Sequence, residues 1–188
     1  MGGGTTKEIR VDHLQLRVTH STPSGAQFVS LISVDLDPVD TKSPGANNST
    51  DCNAWSNPGN AVSSNDKYAA AGPTVGAYST MYQTFGFSIP SGNQIDKVEV
   101  LLEWFAFSSQ PVTDPNTGDT CEVAIGTPGS PDTCGQIVDY TPTVSAFFAN
   151  RTTEGIATVD VTSQRSWLPA DFDNANLRTL LVGFRGIL

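Results

Sequence analysis

"FGFSIPSGNQIDKVEVLLEWFAF", residues 85–107, carries the pattern that decides the fold. In its second half Val98, Val100, Leu102 and Trp104 share one parity, and Lys97, Glu99, Leu101, Glu103, Phe105 and Phe107 share the other. A period of two belongs to a β-strand with one face turned to a core. Beyond Leu101 both parities turn apolar, as in the middle of a covered sheet. Pro90 and Gly92 are turn formers, so Phe85-Gly86-Phe87 is expected to end a strand over 80–89. A hairpin or a crossing between sheets would then lead into the second strand.

Other segments repeat the alternation. Leu14, Leu16 and Val18 oppose His13, Gln15 and Arg17, whereas Ile9 and Val11 lie in the other phase. That switch of phase implies a bulge or a change of sheet. "STPSG" turns the chain, and Phe28 to Leu36 is expected to return as a partner strand. Further strands are expected at 121–125, 136–140, 144–149, 156–161 and 177–184. "WLPADFDNANL" offers one helical turn, with Pro169 near its start and Asp171 inside it. Residues 37–79 have little periodicity and read as a long loop, or as structure that patterns miss, pinned by Trp55 and Tyr68.

Eight to ten short strands without a repeat make an all-β chain: a two-sheet antiparallel β-sandwich of jelly-roll type. An immunoglobulin-like order lacks its Cys-Trp-Cys spacing. The 188 residues form one domain over 9–188, preceded by an extended arm over 1–8 in which Gly2, Gly3, Gly4, Thr5 and Thr6 can bury little. With 38% hydrophobic and 15% charged residues, 17 glycines and 12 prolines, the composition suits short strands and turns. A formal net charge of -9 disfavours nucleic acid and anionic membranes as partners. No stretch approaches the ~18 apolar residues of a membrane span, and "MGGGTTKEIRVDHLQLRV" has no apolar signal core, so assembly in a cytoplasm is expected.

Three cysteines are an odd number for a disulfide framework. Cys121 and Cys134 flank "EVAIGTPGSPDT", a strand, a turn and a return. They are the candidate pair across a hairpin, with free thiols the alternative. Cys52 has no local partner and is the candidate for a bridge between molecules. Two histidines and no CxxC leave zinc almost without ligands.

Catalytic patterns are missing. His13 and His20 read as surface or edge residues, and no GxSxG follows a strand. Glu99 and Glu103 share a strand face about 13 Å apart, too far for a glycosidase pair, and read as a solvated face. Asp114, Asn116 and Asp119 offer oxygen donors, but the glycine and distal glutamate of a calcium loop are missing, so "DPNTGD" reads as a hairpin tip. "GTPGSPDTCG" lacks the lysine of a phosphate loop. No metal site, cofactor or enzymatic activity is expected. Among the large loop aromatics, Trp55, Tyr68, Tyr78 and Trp167 are candidates for stacking on sugar rings; the plainer expectation is that they plug the ends of the sandwich.

"WSNPGNA" (55–61), "DKYA" (66–69), "FGFSIPSG" (85–92) with "IDKVEV" (95–100), and "WLPADFDNANL" (167–177) resemble, in that order, a family of β-sandwich proteins encoded in tailed-phage and prophage structural gene clusters. The likeness spans residues 54–188, and Asn93-Gln94 departs from the small residues expected after the corner. It implies a non-enzymatic virion component: a capsid decoration, collar or neck protein, or a fibre module. The partners would be other virion proteins, such as major capsid or neck proteins, and copies of itself. No catalytic residue transfers with the resemblance. Residues 1–53 lie outside it and would adapt the subunit to its assembly, docking through the arm and sheet edges. A glycan-binding module of a fibre and an extracellular filament subunit that donates a strand are the alternatives.

Overall fold

The computed structural model describes residues 7–23, 38–53, 55–71, 76–108, 119–134, 138–149 and 152–185. The glycine arm (Gly2 to Thr6), the strand expected over 28–36 and Asp114 to Gly118 of the hairpin tip lie outside them. Among the described residues ten strands pack as two antiparallel sheets: β1 (Lys7–Ser21), β2 (Val39–Lys42), β3 (Ala46–Asn48), β4 (Ala69–Ala71), β5 (Gly76–Gln83), β6 (Gln94–Ser108), β7 (Thr120–Thr127), β8 (Val138–Phe148), β9 (Ile156–Asp160) and β10 (Arg178–Arg185).

Sheet A has the order β2-β1-β6-β9, with β4 also paired to β1; sheet B has the order β3-β5-β10-β7-β8. The chain therefore changes sheet at most of its connections. The inward parities meet between the layers as the core: Ile9, Val11, Leu14, Leu16, Val98, Val100, Leu102 and Trp104 from sheet A against Tyr82, Val123, Ile125, Val144 and Leu181 from sheet B. Lys7 and Glu8, read as part of the arm, belong to β1.

β1 and β6 pair along nearly their whole length, and their register shifts between Val11 and His13. The phase switch read from the sequence is thus a bulge, and Asp12 is its extra residue. On either side of it, Ile9 and Val11, then Leu14, Leu16 and Val18, all face the core with no exposed area.

Phe85 and Phe87 do not extend a strand. β5 ends at Gln83, Thr84 and Gly86 take positive φ of 64° and 70°, and the Gly86 N–H donates to Asn174 Oδ1 at 2.8 Å. A left-handed residue breaks the pleat, which a glycine does without a Cβ penalty. The two rings instead close one end of the core, where Phe87 meets Phe172 edge-on with centroids 5.5 Å apart. The corner itself is a turn, with the Asn93 N–H donating to Pro90 O at 2.9 Å, and it carries the chain from sheet B to sheet A. The long stretch over 37–79 holds β2, β3, a 3₁₀ turn at Pro58–Ala61 and β4, elements too short for a period to register.

Candidate functional site

The bulge in β1 has a chemical consequence. Asp12 is only 1% exposed, and its carboxylate meets those of Glu103 on β6 and Glu154 in the turn before β9, with one oxygen from each within 4.8 Å of the others. Backbone pairing sets this convergence. Ile156 lies opposite Glu103, and the Trp104 N–H donates to Gly155 O at 3.2 Å, so the turn carrying Glu154 is fastened beside Glu103. The extra residue at the bulge adds Asp12 from the other side, a common use of bulges.

Few donors serve these carboxylates. Both oxygens of Asp12 share one N–H, that of Asn65, at 3.3 and 3.2 Å. Tyr68 Oη donates to Glu154 Oε2 at 3.1 Å, while Glu154 Oε1 is closed off from solvent and has no partner. Burial, and then the bond to Glu154, push the Tyr68 phenol up to about 12. His13, opposite Glu103, bonds Ser43 Oγ through Nε2 at 2.7 Å. Burial lowers the imidazole below its ordinary value, against the opposing pull of the Glu103 and Asp12 charges. Among the described residues no Lys, Arg or His forms an ion pair with any of the three carboxylates.

Beside the cluster lies an open cleft of about 430 Å³ whose lining includes Glu8, Arg10, Asn57, Asn60, Asp66 and Tyr68. The Tyr68 ring meets Phe105 edge-on at 5.4 Å, and the Arg10 guanidinium sits over Phe107 at 3.8 Å and over Tyr68 at 5.4 Å. Of the aromatic candidates for stacking on sugars, Tyr68 alone lines this cleft. Trp55 is 2% and Trp167 8% exposed, so both plug the sandwich, and Trp55 lies against Gly183 of β10. Glu99 also departs from the solvated face read for it: it is 7% exposed and bound by Arg17 and Lys97, each at 2.8 Å. His20 is buried rather than at the surface, with Nδ1 2.8 Å from Asn93 Nδ2 and Nε2 3.6 Å from Asp40.

The cysteines pair otherwise than the hairpin reading had it. Cys52 is joined to Cys134, with Cα atoms 5.2 Å apart across 82 residues of chain, and Cys121 is a free, buried thiol. Cys121 shares the inward parity of Val123 and Ile125 in β7, so its side chain points into the core, away from the loop that holds Cys134. That loop lies over the end of sheet B. Asn48 Nδ2 donates to Asp132 O at 2.8 Å, the Cys134 N–H donates to Thr50 O at 3.1 Å, and Arg178 clasps Asp132 at 2.6 Å. Cys52 is consequently not available for a bridge between molecules while this pair is intact. No helix among the described residues is long and apolar enough to cross a membrane. Compared with known proteins, the chain matches no family model, no curated protein and no solved structure.

The carboxylate cluster left little signal in the sequence. Its members are 91 and 51 residues apart along the chain, counted from Asp12 to Glu103 and from Glu103 to Glu154. The phase switch around Asp12 was the one local hint.

Proposed function

We propose that the protein is a non-catalytic structural subunit of a tailed-phage virion, of capsid decoration or collar and neck type, that docks on neighbouring virion proteins and on copies of itself. The observation that carries this reading is the outer face of sheet B. Cross-strand rows there run Met81-Leu180-Ala124-Ser145, then Ser79-Val182-Glu122-Phe147, then Ala77-Phe184-Thr120. In these rows Glu122 is the one charged residue, and its carboxylate accepts a bond from Ser145 Oγ. Phe147 is 59% and Phe184 41% exposed. Met81 is fully buried, but the two exposed rings beside half-buried Leu180 and Val182 suit docking against another protein more than dissolved chemistry.

The disulfide suits a particle that works outside the cell, since such bonds persist in oxidising surroundings. Assembly in the host cytoplasm with oxidation on release accommodates both. The leading residues 1–6 would add contact area on docking, and many symmetric copies would make weak single contacts durable.

Mixing the purified protein with particles from which it has been stripped tests this. Saturable, symmetric rebinding in electron micrographs is expected, and loss of rebinding in the Phe147→Asp/Phe184→Asp double variant with an unchanged melting temperature. Particles that never bind the protein, or that bind the variant equally well, overturn the reading.

The cleft at Tyr68 favours one second reading, a glycan-binding module, because an aromatic ring beside carboxamides, carboxylates and an Arg is the usual lining of a sugar site. Glycan-array binding lost in Tyr68→Ala would support it, and a blank array would remove it.

A further inference from the structure

We infer that Asp12, Glu103 and Glu154 together hold a calcium ion, at a site on sheet A separate from the docking face of sheet B. Three carboxylates converge here without an ion pair to any basic side chain among the described residues. Ionised groups so placed repel one another, and taking them out of water without a partner is strongly unfavourable.

Two independent observations point to a ligand and go beyond the count of acids. Asp12 is almost wholly buried, yet its two oxygens have a single N–H to share. A carboxylate has about four acceptor sites, so most of its capacity is unused. Glu154 Oε1 is sealed from solvent with no donor at all, while Oε2 is held by Tyr68. A buried acceptor without a donor calls for an explanation, and a cation held between it and two further carboxylates supplies one.

The chemistry of the donors selects the cation. All three side chains offer oxygen, without nitrogen or sulfur, which suits a hard ion. Calcium binds oxygen at about 2.3–2.6 Å, so ligands on opposite sides of one ion stand at most about 5 Å apart. The three oxygens lie within 4.8 Å of one another, inside that limit. Three carboxylates supply -3, enough to overcompensate a divalent ion and to hold it firmly. Bound there, the ion would tie β1, β6 and the turn before β9 together, and would fix Tyr68 at the wall of the cleft through Glu154.

The test uses the full chain. The probes are calcium, magnesium and terbium, the last read by luminescence sensitised through Tyr68 and Trp104. Millimolar calcium is expected to raise the melting temperature above that in EDTA, with terbium binding displaced by calcium. Glu154→Gln, in a partly exposed turn, and Asp12→Asn are each expected to weaken calcium binding by roughly tenfold or more. In EDTA the same Glu154→Gln variant should melt at or above the parent, because one of three repelling charges is gone. If Asp12→Asn fails to fold, Glu154→Gln decides alone. Identical melting in calcium and EDTA with no terbium signal overturns the inference, as does undiminished binding by Glu154→Gln. A Glu154→Gln protein less stable than the parent in EDTA overturns it too, since the carboxylate would then be satisfied within the protein. An equal response to magnesium overturns the assignment to calcium.

Discussion

The outer faces of the two sheets are built from the same kind of strand and differ in where they carry charge: sheet A also exposes Val39 and Ile156, but its ionic residues are gathered along β1 and β6. Sheet A turns out Arg10, His13, Arg17, Lys97, Glu99 and Glu103, bound in ion pairs or gathered at the bulge. Sheet B turns out Leu180, Val182, Phe184 and Phe147, with one end of the sheet covered by the loops that the Cys52–Cys134 bond and the Arg178–Asp132 pair clasp together. A residue's parity decides only whether it faces in or out. What it does outside depends on its neighbours across the strands, and the sheets differ because the polar residues of β1 and β6 are paired with each other while the outward residues of β10 stand beside small or apolar ones, with Thr120 and Glu122 the polar exceptions.

The comparison can be broken in several places, and the covered end of sheet B should respond most. Replacing Cys52 and Cys134 by serine releases a loop of 82 residues and is expected to cost about 2–5 kcal/mol in urea unfolding. A loss within error would mean that the clasp owes its strength to the Arg178–Asp132 pair instead. Between the faces, Gly183→Ala would put a Cβ 2.6 Å from Trp55 Cζ2 and 3.3 Å from Ile9 Cδ1, so the two layers must part; about 1–3 kcal/mol is expected, read as a lower denaturation midpoint.

On sheet A, Arg17→Ala leaves the almost buried Glu99 with Lys97 as its remaining cation, and about 1–2 kcal/mol of destabilisation is expected, less than for a fully buried pair because Arg17 reaches solvent. The same pair has a pH signature. The hydrogen bond from Arg17, helped by Lys97 and opposed by burial, holds the Glu99 carboxyl below its ordinary value. A depressed folded-state value contributes stability that is present above the unfolded value, about 4.3, and is lost as pH falls through the folded one. Glu99→Gln should therefore flatten the acid limb of stability below about pH 4 while the neutral plateau drops. An acid limb identical to the parent's would assign acid unfolding elsewhere, with Asp160, lowered first by its Thr162 side-chain hydrogen bond, the next candidate. The smallest effect on folding belongs to the open part of sheet B. Phe147→Asp with Phe184→Asp should shift stability by no more than about 0.5 kcal/mol per site, as for exposed positions in general. A large loss there would mean that the rings are part of the fold rather than of a docking face.

Much of the framework was legible beforehand. The apolar parity of β6 from Val98 to Trp104 and the phase switch in β1 record which side chains meet the core, and burial is a local demand that each strand answers for itself. The Pro-Ser-Gly corner was legible for the same reason. In the Phe-Gly-Phe run Phe85 and Phe87 keep the parity of a strand while Thr84 and Gly86 leave the pleat, and parity carries no information on φ. Cys121 could have been placed in the core from its neighbours Val123 and Ile125; its nearness to Cys134 in sequence was the poorer guide.

By itself the amino-acid order determined the all-β class, the inward residues and the switch of phase in β1, since these follow from spacing along a single strand; the pairing with β6 made that switch a bulge. Tertiary structure decided which cysteines join, that the tryptophans are plugs, and that Asp12, Glu103 and Glu154 stand together. Those outcomes depend on the register between strands far apart in the chain, and register is set by the packing of both layers at once.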